Sequence, residues 1–370
     1  REEPGYALLE PVPLRNTKKP PAIPDRVNLK RKDAVVYLQN IYVGPGLEGV
    51  PTDTIKNLRV FAYHYGYRQL AGPDKIGYGG PWEAMQILGT VPIEEDGSAI
   101  FSVPANTPVA VQALDNEGKA VQLMRSWFTA MPGEVLSCVG CHESPADVPP
   151  AQQTAASLRQ PRAIQPWYGP ARGFDFAREV QPVLNRYCVS CHNGIDQKRP
   201  DLRPESEVPN YKGKKIAWLG VERLHPQMLE DTKGFMRYTP AYDSLIPYIR
   251  RVGIEDDVSL LTPGEYHTDT SELIKMLAKG HHGVCLDKEA WDRLITWIDL
   301  NAPCHGTWGE VYPIPEKAHE RRMALRKLYG GPEADPEVVP ELPEYTDTRV
   351  KPKPIPHCEP VNTDGWPLDT

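Results

Sequence analysis

The chain has 370 residues, 40% hydrophobic and 25% charged, with 40 prolines and a formal net charge of −7. That size and composition suit a globular protein of two or three domains, and a mild negative charge without any basic block excludes a nucleic-acid stripe or a polybasic membrane patch. No run approaches the roughly 20 apolar residues of a membrane span, and no charged-apolar-small leader opens the chain, so Arg1 reads as the start of a mature form or a fragment.

Residues 1–32 are punctuated by proline and read as an extended arm. "DAVVYLQNIYVG" and "NLRVFAYHYGY" then carry the β-branched and aromatic content of strands. The stretch "AMQILGTVPIEEDGSAIFSVPANTPVAVQALDNEGKAVQLMRSW" alternates apolar and polar residues and is broken at Asp96-Gly97 and Asn116-Glu117-Gly118, both hairpin signals. A β-sandwich of about six to eight short strands is expected over 33–130, in a β-rich domain spanning 33–142.

Residues 143–172 are rich in proline and read as a linker. In "DFAREVQPVLNRYCVSCH" the set Phe176, Val180, Val183, Leu184 and Tyr187 shares one helical face, with Pro182 forcing a kink or restart. "TSELIKMLAKG" reads as a helix capped at Thr270 and stopped at Gly280, and "DKEAWDRLITWIDL" places Trp291, Leu294, Ile295 and Ile298 on one stripe. The fold class is therefore α+β multidomain: a β-sandwich-like middle domain, then a mostly α-helical domain over 173–312, then an extended tail over 313–370. No repeat of solenoid or propeller period is present.

Two pentapeptides carry the chemistry. "SCVGCHES" holds Cys138, Cys141 and His142, and "YCVSCHNG" holds Cys188, Cys191 and His192. Two thiols spaced by two residues reach the two vinyl groups of one haem, and the adjacent histidine ligates its iron. A structural zinc site needs four ligands, which would have to come from both sides of the linker. A thioredoxin-like dithiol sits at a helix N-terminus, whereas Cys188 follows a helix. Two complete copies favour two covalent c-type haems, which are attached outside the bacterial cytoplasm.

Each haem has a second face to fill with His or Met. For the second motif, His281 and His282 stand where Gly280 turns the chain, with His267, His225 and His305 as weaker candidates. For the first, the choices are His64, Met124 and Met131; if none reaches the iron, that haem keeps an open face. Arg125 and Arg186 are candidate partners for haem propionates. Of the remaining cysteines, Cys285 and Cys304 flank a helix about 20 Å long. The residues after it return at most about 14 Å, short of the ~5.5 Å separation a disulfide needs. Cys304 with Cys358 is the expected pair, with free or separately paired thiols as the alternative.

With these residues in view, the sequence resembles the α subunit of hydrazine synthase and its multihaem relatives. The stretches that carry the resemblance run from "LGTVPIEEDGSAIFSVP" into "SCVGCHE", then "REVQPVLNRYCVSCH", "LIKMLAKGHHGV" and "WDRLITWIDLNAPCHGTW", over most of 28–312. The resemblance implies a β-rich middle domain with one haem and a C-terminal cytochrome domain with a second, bis-histidine haem, its distal ligand drawn from "GHHG" at 280–283. Family members also tend to have an N-terminal β-propeller that this chain lacks, so Arg1 looks like an internal start, or the propeller has been lost or is supplied separately. In the hydrazine-forming enzyme a tyrosine four residues after the first motif histidine binds the iron and the histidine turns to zinc. Here that position is Ala146, which speaks against hydrazine synthesis and against zinc, and returns His142 to the iron.

The reading is a dihaem c-type cytochrome that passes electrons between redox partners or to other subunits of a multihaem complex, in the periplasm or another extracytoplasmic space. The alternative is a haem redox enzyme or enzyme subunit acting on a small nitrogen or oxygen species at an open first haem. A third reading makes the haems structural staples for a β-sandwich binding module.

Overall fold

The computed structural model describes residues 26–68, 71–144, 150–208, 238–253 and 260–342, with residues 4 and 16 besides. Eight strands lie among them: β1 Asp33–Leu38, β2 Asn57–His64, β3 Ala84–Pro92, β4 Ala99–Pro104, β5 Val109–Leu114, β6 Ala120–Leu123, β7 Val135–Cys138 and β8 Arg172–Gly173. They form a three-stranded sheet, β4-β1-β7, and a five-stranded sheet, β6-β5-β2-β3-β8.

Period-two alternation explains how the sheets face each other. In β1 and β4 every second side chain is buried, and Val36, Leu38, Phe101 and Val103 meet Leu58, Val60, Val91 and Val109 in one apolar layer. Strand β2 is buried on both faces: Val60 joins that layer while Phe61 joins a second core on the outer side of the five-stranded sheet. A central strand of this kind reads as a near-continuous apolar run, as "LRVFA" does.

The Asn116–Gly118 signal is a hairpin: β5 and β6 pair antiparallel, and Gly118 takes the left-handed φ of 81° the turn requires. The Asp96-Gly97 signal turns the chain but is not a hairpin between paired strands. There β3 stays in the five-stranded sheet while β4 crosses to the other, because β4 is already the antiparallel partner of β1.

The proline-rich stretch after the first motif lies along both sheets. The amides of Thr90 and Gln165 exchange hydrogen bonds with each other's carbonyls at 2.9 and 2.8 Å, and Arg162 does the same with Ile100 and Ser102.

The second half adds helices α1 Phe176–Glu179, α2 Gln181–Tyr187, α3 Pro240–Leu245, α4 Glu272–Ala278, α5 Lys288–Asp299, α6 Trp308–Val311 and α7 Glu316–Leu328. The break between α1 and α2 falls at Val180, two residues before Pro182, and Asp175 caps α1 by accepting from the Arg178 amide. The molecule is mixed α+β. Among the described residues of 173–312 a mostly helical domain is not shown: the longest helix there, α5, has 12 residues. The tail expected to be extended opens with the 13-residue helix α7, held to β2 and its following loop through Tyr67 and His319. Ser271, not Thr270, occupies the N-cap of α4.

Helix α5 anchors the second core. Leu294, Trp297 and Ile298 pack with Phe61, Phe176 and Tyr242, each fully buried large side chain contributing about 1.5–3 kcal/mol. Two charged clusters sit inside the packing. Asp299, fully buried, accepts from Arg59 Nη1 at 2.9 Å and from the Ala120 amide at 3.0 Å, so α5 is tied to β2 and β6. Glu179 accepts from Arg172 at 2.6 and 2.9 Å and from Arg293, joining β8, α1 and α5.

A third cluster holds the β5–β6 turn. His267 Nε2 lies 3.2 Å from Asp115, and Lys119 donates to Asp269 at 3.0 Å. Burial pulls the His267 pKa down, but the hydrogen bond to Asp115 and the charges of Asp269, Asp299 and Asp115 outweigh it and raise the value. The folded state thus favours the imidazolium. That contribution is complete below the unfolded value of about 6.5 and is lost as pH rises through the higher folded pKa. Melting temperature is expected to fall by a few degrees on going from pH 6.5 into the alkaline range, and less steeply in His267→Gln. Identical slopes in the two proteins would mean that another group titrates.

Candidate functional site

The first motif grows out of β7. This strand runs parallel to β1 with Cys138 opposite Leu38, so the motif turn emerges against the loop that follows β1. There the Cys141 amide donates to the Val43 carbonyl at 2.8 Å, and the Gly46 amide donates to the Cys141 carbonyl at 3.1 Å. Glycine is required in this cradle: a Cβ on Gly44 would lie 2.5 Å from the Cys141 carbonyl oxygen, and one on Gly46 would clash with Cys141 Sγ. The Glu143 carboxylate closes the turn by accepting from the Val139 amide and, at 3.0 Å, from that of Gly140. His142 is exposed and left-handed, with φ 59°.

The second motif continues from α2. The Cys188 amide bonds the Leu184 carbonyl at 2.8 Å, and the His192 amide bonds the Cys188 carbonyl at 3.0 Å, so the five residues form one tight turn. His192 Nδ1 lies 3.0 Å from the Pro200 carbonyl oxygen. A carbonyl only accepts, so Nδ1 is the donor of this bond.

The His281 ring faces His192, with centroids 6.0 Å apart and planes at 32°. His282 stacks edge-on against His281 at 4.6 Å and is itself exposed. Gly280, His282 and Gly283 all have positive φ, of 83°, 48° and 74°, which folds "GHHG" into the turn that presents His281. A cavity of ≈310 Å³ beside it is lined by Lys275, Met276, Lys279 and His281.

All four motif cysteines are free thiols. Burial pushes Cys138 up to about 11, with the Glu143 charge adding to it, and burial followed by the neighbouring Cys191 pushes Cys188 up to about 12. A thioredoxin-type dithiol needs the opposite shift.

The other sequence-derived candidates are spread through the fold. His64 bonds Gln86 at 2.9 Å, and burial pushes its pKa down to about 4. Its carbonyl accepts from the Trp308 indole at 2.6 Å. His305, half-buried, stacks on Tyr238, and desolvation likewise pushes its pKa down to about 4. His267 belongs to the Asp115–Asp269 cluster. Met124 packs on the second core, Met131 is exposed, and Arg186 pairs with Asp287 at 3.2 Å. His225 and Ala146 lie outside the described residues.

The Cys304–Cys358 pairing is corrected. Cys304 is a free thiol, 2% exposed, embedded in the second core, because the turn after α5 draws its amide onto the Ile76 carbonyl at 2.7 Å. Cys285 is disulfide-bonded, and Cys358 lies outside the described residues.

Sequence reasoning did not find the Pro200 carbonyl, the Gly44/Gly46 cradle or the Lys275 and Lys279 lining. The two lysines, one helical turn apart and just before "GHHG", were the legible signal. The glycines and Pro200 carried none beyond turn propensity.

Residues 53–143 match the family described as the hydrazine synthase alpha subunit middle domain. A solved chain of Kuenenia stuttgartiensis hydrazine synthase aligns over 75% of this chain and 44% of its own, at 17% identity and a TM-score of 0.48. This chain therefore spans less than half of that one's length. No curated protein matches. Residues 53–143, which hold β2 to β7 and end just past the first CxxCH, are the part of the chain that is similar to the hydrazine synthase alpha subunit middle domain.

Proposed function

We propose that the chain is a dihaem c-type cytochrome that passes electrons to and from redox partners or other subunits, in an extracytoplasmic compartment. The observation that carries this reading is the His192–His281 pair. Two imidazoles brought close together from separate elements are the donor set that would hold a bis-histidine haem iron. The pair stands at 6.0 Å, centroid to centroid. The residues fit the group.

Cys188 and Cys191 would hold the second haem as thioethers, His192 and His281 would bind its iron, and Lys275 and Lys279 would offer charge to its carboxylates. Cys138, Cys141 and His142 would hold the first. Haem supplies one-electron redox chemistry when bound. The chain's own contribution is to fix ligands and exclude water: the Pro200 carbonyl orients the His192 ring, and the second core packs against Cys188 and Val189. Among the described residues no helix is long and apolar enough to cross a membrane. Partner subunits are proposed because the matching family is named for a subunit.

Pyridine haemochrome assay of the purified chain is expected to give about two haems per polypeptide. Low-temperature EPR, with and without cyanide or nitric oxide, then counts spin states. Two low-spin haems that ignore the added ligand support electron transfer. A high-spin first haem that binds it would replace that reading with a haem enzyme acting on a small nitrogen or oxygen species, and absence of haem would overturn both.

A further inference from the structure

A cavity of ≈380 Å³ lies between the five-stranded sheet and the second half of the chain, and none of its lining residues belongs to either CxxCH motif. That volume is in the range of small-molecule sites. Its walls are aromatic: Phe61, Tyr63, Trp82 and Trp127. Trp82 and Trp127 stay 53% and 49% exposed, which leaves indole surface in water that an occupant would cover.

The rings stand as adjoining walls. Phe61 and Tyr63 meet at 70°, Tyr63 and Trp127 at 69°, and Tyr65 closes on Trp127 at 68° with centroids 5.3 Å apart. A flat platform suits a sugar ring or a base. A box suits a compact group that needs contact on several sides, and ring faces attract positive charge.

The lining carries two carboxylates, Glu83 and Asp299, and one guanidinium, Arg125; Asp299 is already paired with Arg59, which leaves Glu83 as the carboxylate to meet an occupant. Glu83 enters the cavity wall with one carboxylate oxygen accepting from the Gly66 amide at 2.9 Å. The other oxygen has no hydrogen-bond partner among the described residues. Burial raises the pKa of this carboxyl against the opposing pull of the Gly66 amide and Arg322, as expected where the negative charge is under-compensated. Arg125, also on the lining, makes an interaction of its own.

We propose that this cavity binds a small organic cation, an alkylated ammonium whose methyl groups contact Tyr63, Trp82 and Trp127 while Glu83 supplies the counter-charge. The proposal does not depend on the haem reading.

The test is calorimetric titration of the full chain as purified with choline and with 3,3-dimethylbutan-1-ol, a neutral molecule of the same shape. Choline is expected to bind saturably and at least about ten-fold more tightly than the alcohol. Trp127→Ala, at a half-exposed position, and Glu83→Gln, which keeps an acceptor for Gly66, are each expected to weaken choline about five-fold or more without changing the melting temperature. Equal affinity for the two compounds would reduce the site to an apolar cleft and overturn the proposal. So would choline binding untouched by either variant, or no saturable heat up to about 50 mM choline, below the weakest cation recognition such a cage supports.

Discussion

Asp299→Ala is expected to cost about 3–5 kcal/mol of stability, a large part of the ~5–15 kcal/mol that holds a typical domain folded. The side chain is fully buried and serves three donors: the Arg59 guanidinium at 2.9 Å, the Ala120 amide at 3.0 Å and the Thr268 hydroxyl. Removing it leaves the Arg59 charge, itself 1% exposed, with only neutral acceptors in Gln112, Gly118 and Thr296. An uncompensated buried charge costs more than the ion pair gained, so the loss is large even though the pair itself adds little.

Two further variants separate the causes. Asp299→Asn keeps acceptor and shape but not the charge and should lose about half as much. The double change Arg59→Met with Asp299→Leu should come within about 1 kcal/mol of the parent, because an apolar pair needs no compensation. Urea unfolding of the four proteins decides it. An Asp299→Ala protein within about 1 kcal/mol of the parent would show that water or rearrangement rescues Arg59, and that this cluster does not hold β2, β6 and α5 together.

If the proposed dihaem reading holds, His281→Ala is expected to convert the second haem from low to high spin, whereas His282→Ala leaves it low spin. The asymmetry comes from the "GHHG" turn. With left-handed backbone at Gly280 and at His282 itself, the turn carries the His281 ring to face His192 and leaves His282 exposed, edge-on to His281 at 4.6 Å. Burial, then the charges of His282, His192 and Arg199, lower the His281 pKa, so it is neutral and has a lone pair to offer at neutral pH. A non-glycine residue at φ 48° is strained by about 1–3 kcal/mol and persists only where its surroundings impose it. The optical and EPR spectra of the two single variants read out the assignment. High spin in His282→Ala alone would move the ligand by one residue, and low spin in both would remove the pair from the iron altogether.

The local features were legible because local physics decides them. The CxxCH turns were recognisable since each brings two thiols and an imidazole within five residues. The strands of the β-rich region followed from period-two alternation, the Val180 break from Pro182, and the end of α4 from Gly280. Long-range choices were not legible. Asp96-Gly97 carries a hairpin signal, yet pairing with β1 sends β4 into the other sheet. Cys304 lies at a plausible reach from the tail by chain length, yet core packing buries it as a free thiol. The tail from 313 is proline-rich, yet Tyr67 and Trp308 provide a surface on which α7 forms. Nothing in the spacing of "GHHG" ranked His281 over His282, because the ranking depends on a ring more than eighty residues upstream. The sequence by itself determined which residues can carry the chemistry; only the tertiary structure decided which face one another, since opposition across a gap of 6.0 Å is set by how helices and turns pack and not by any repeat along the chain.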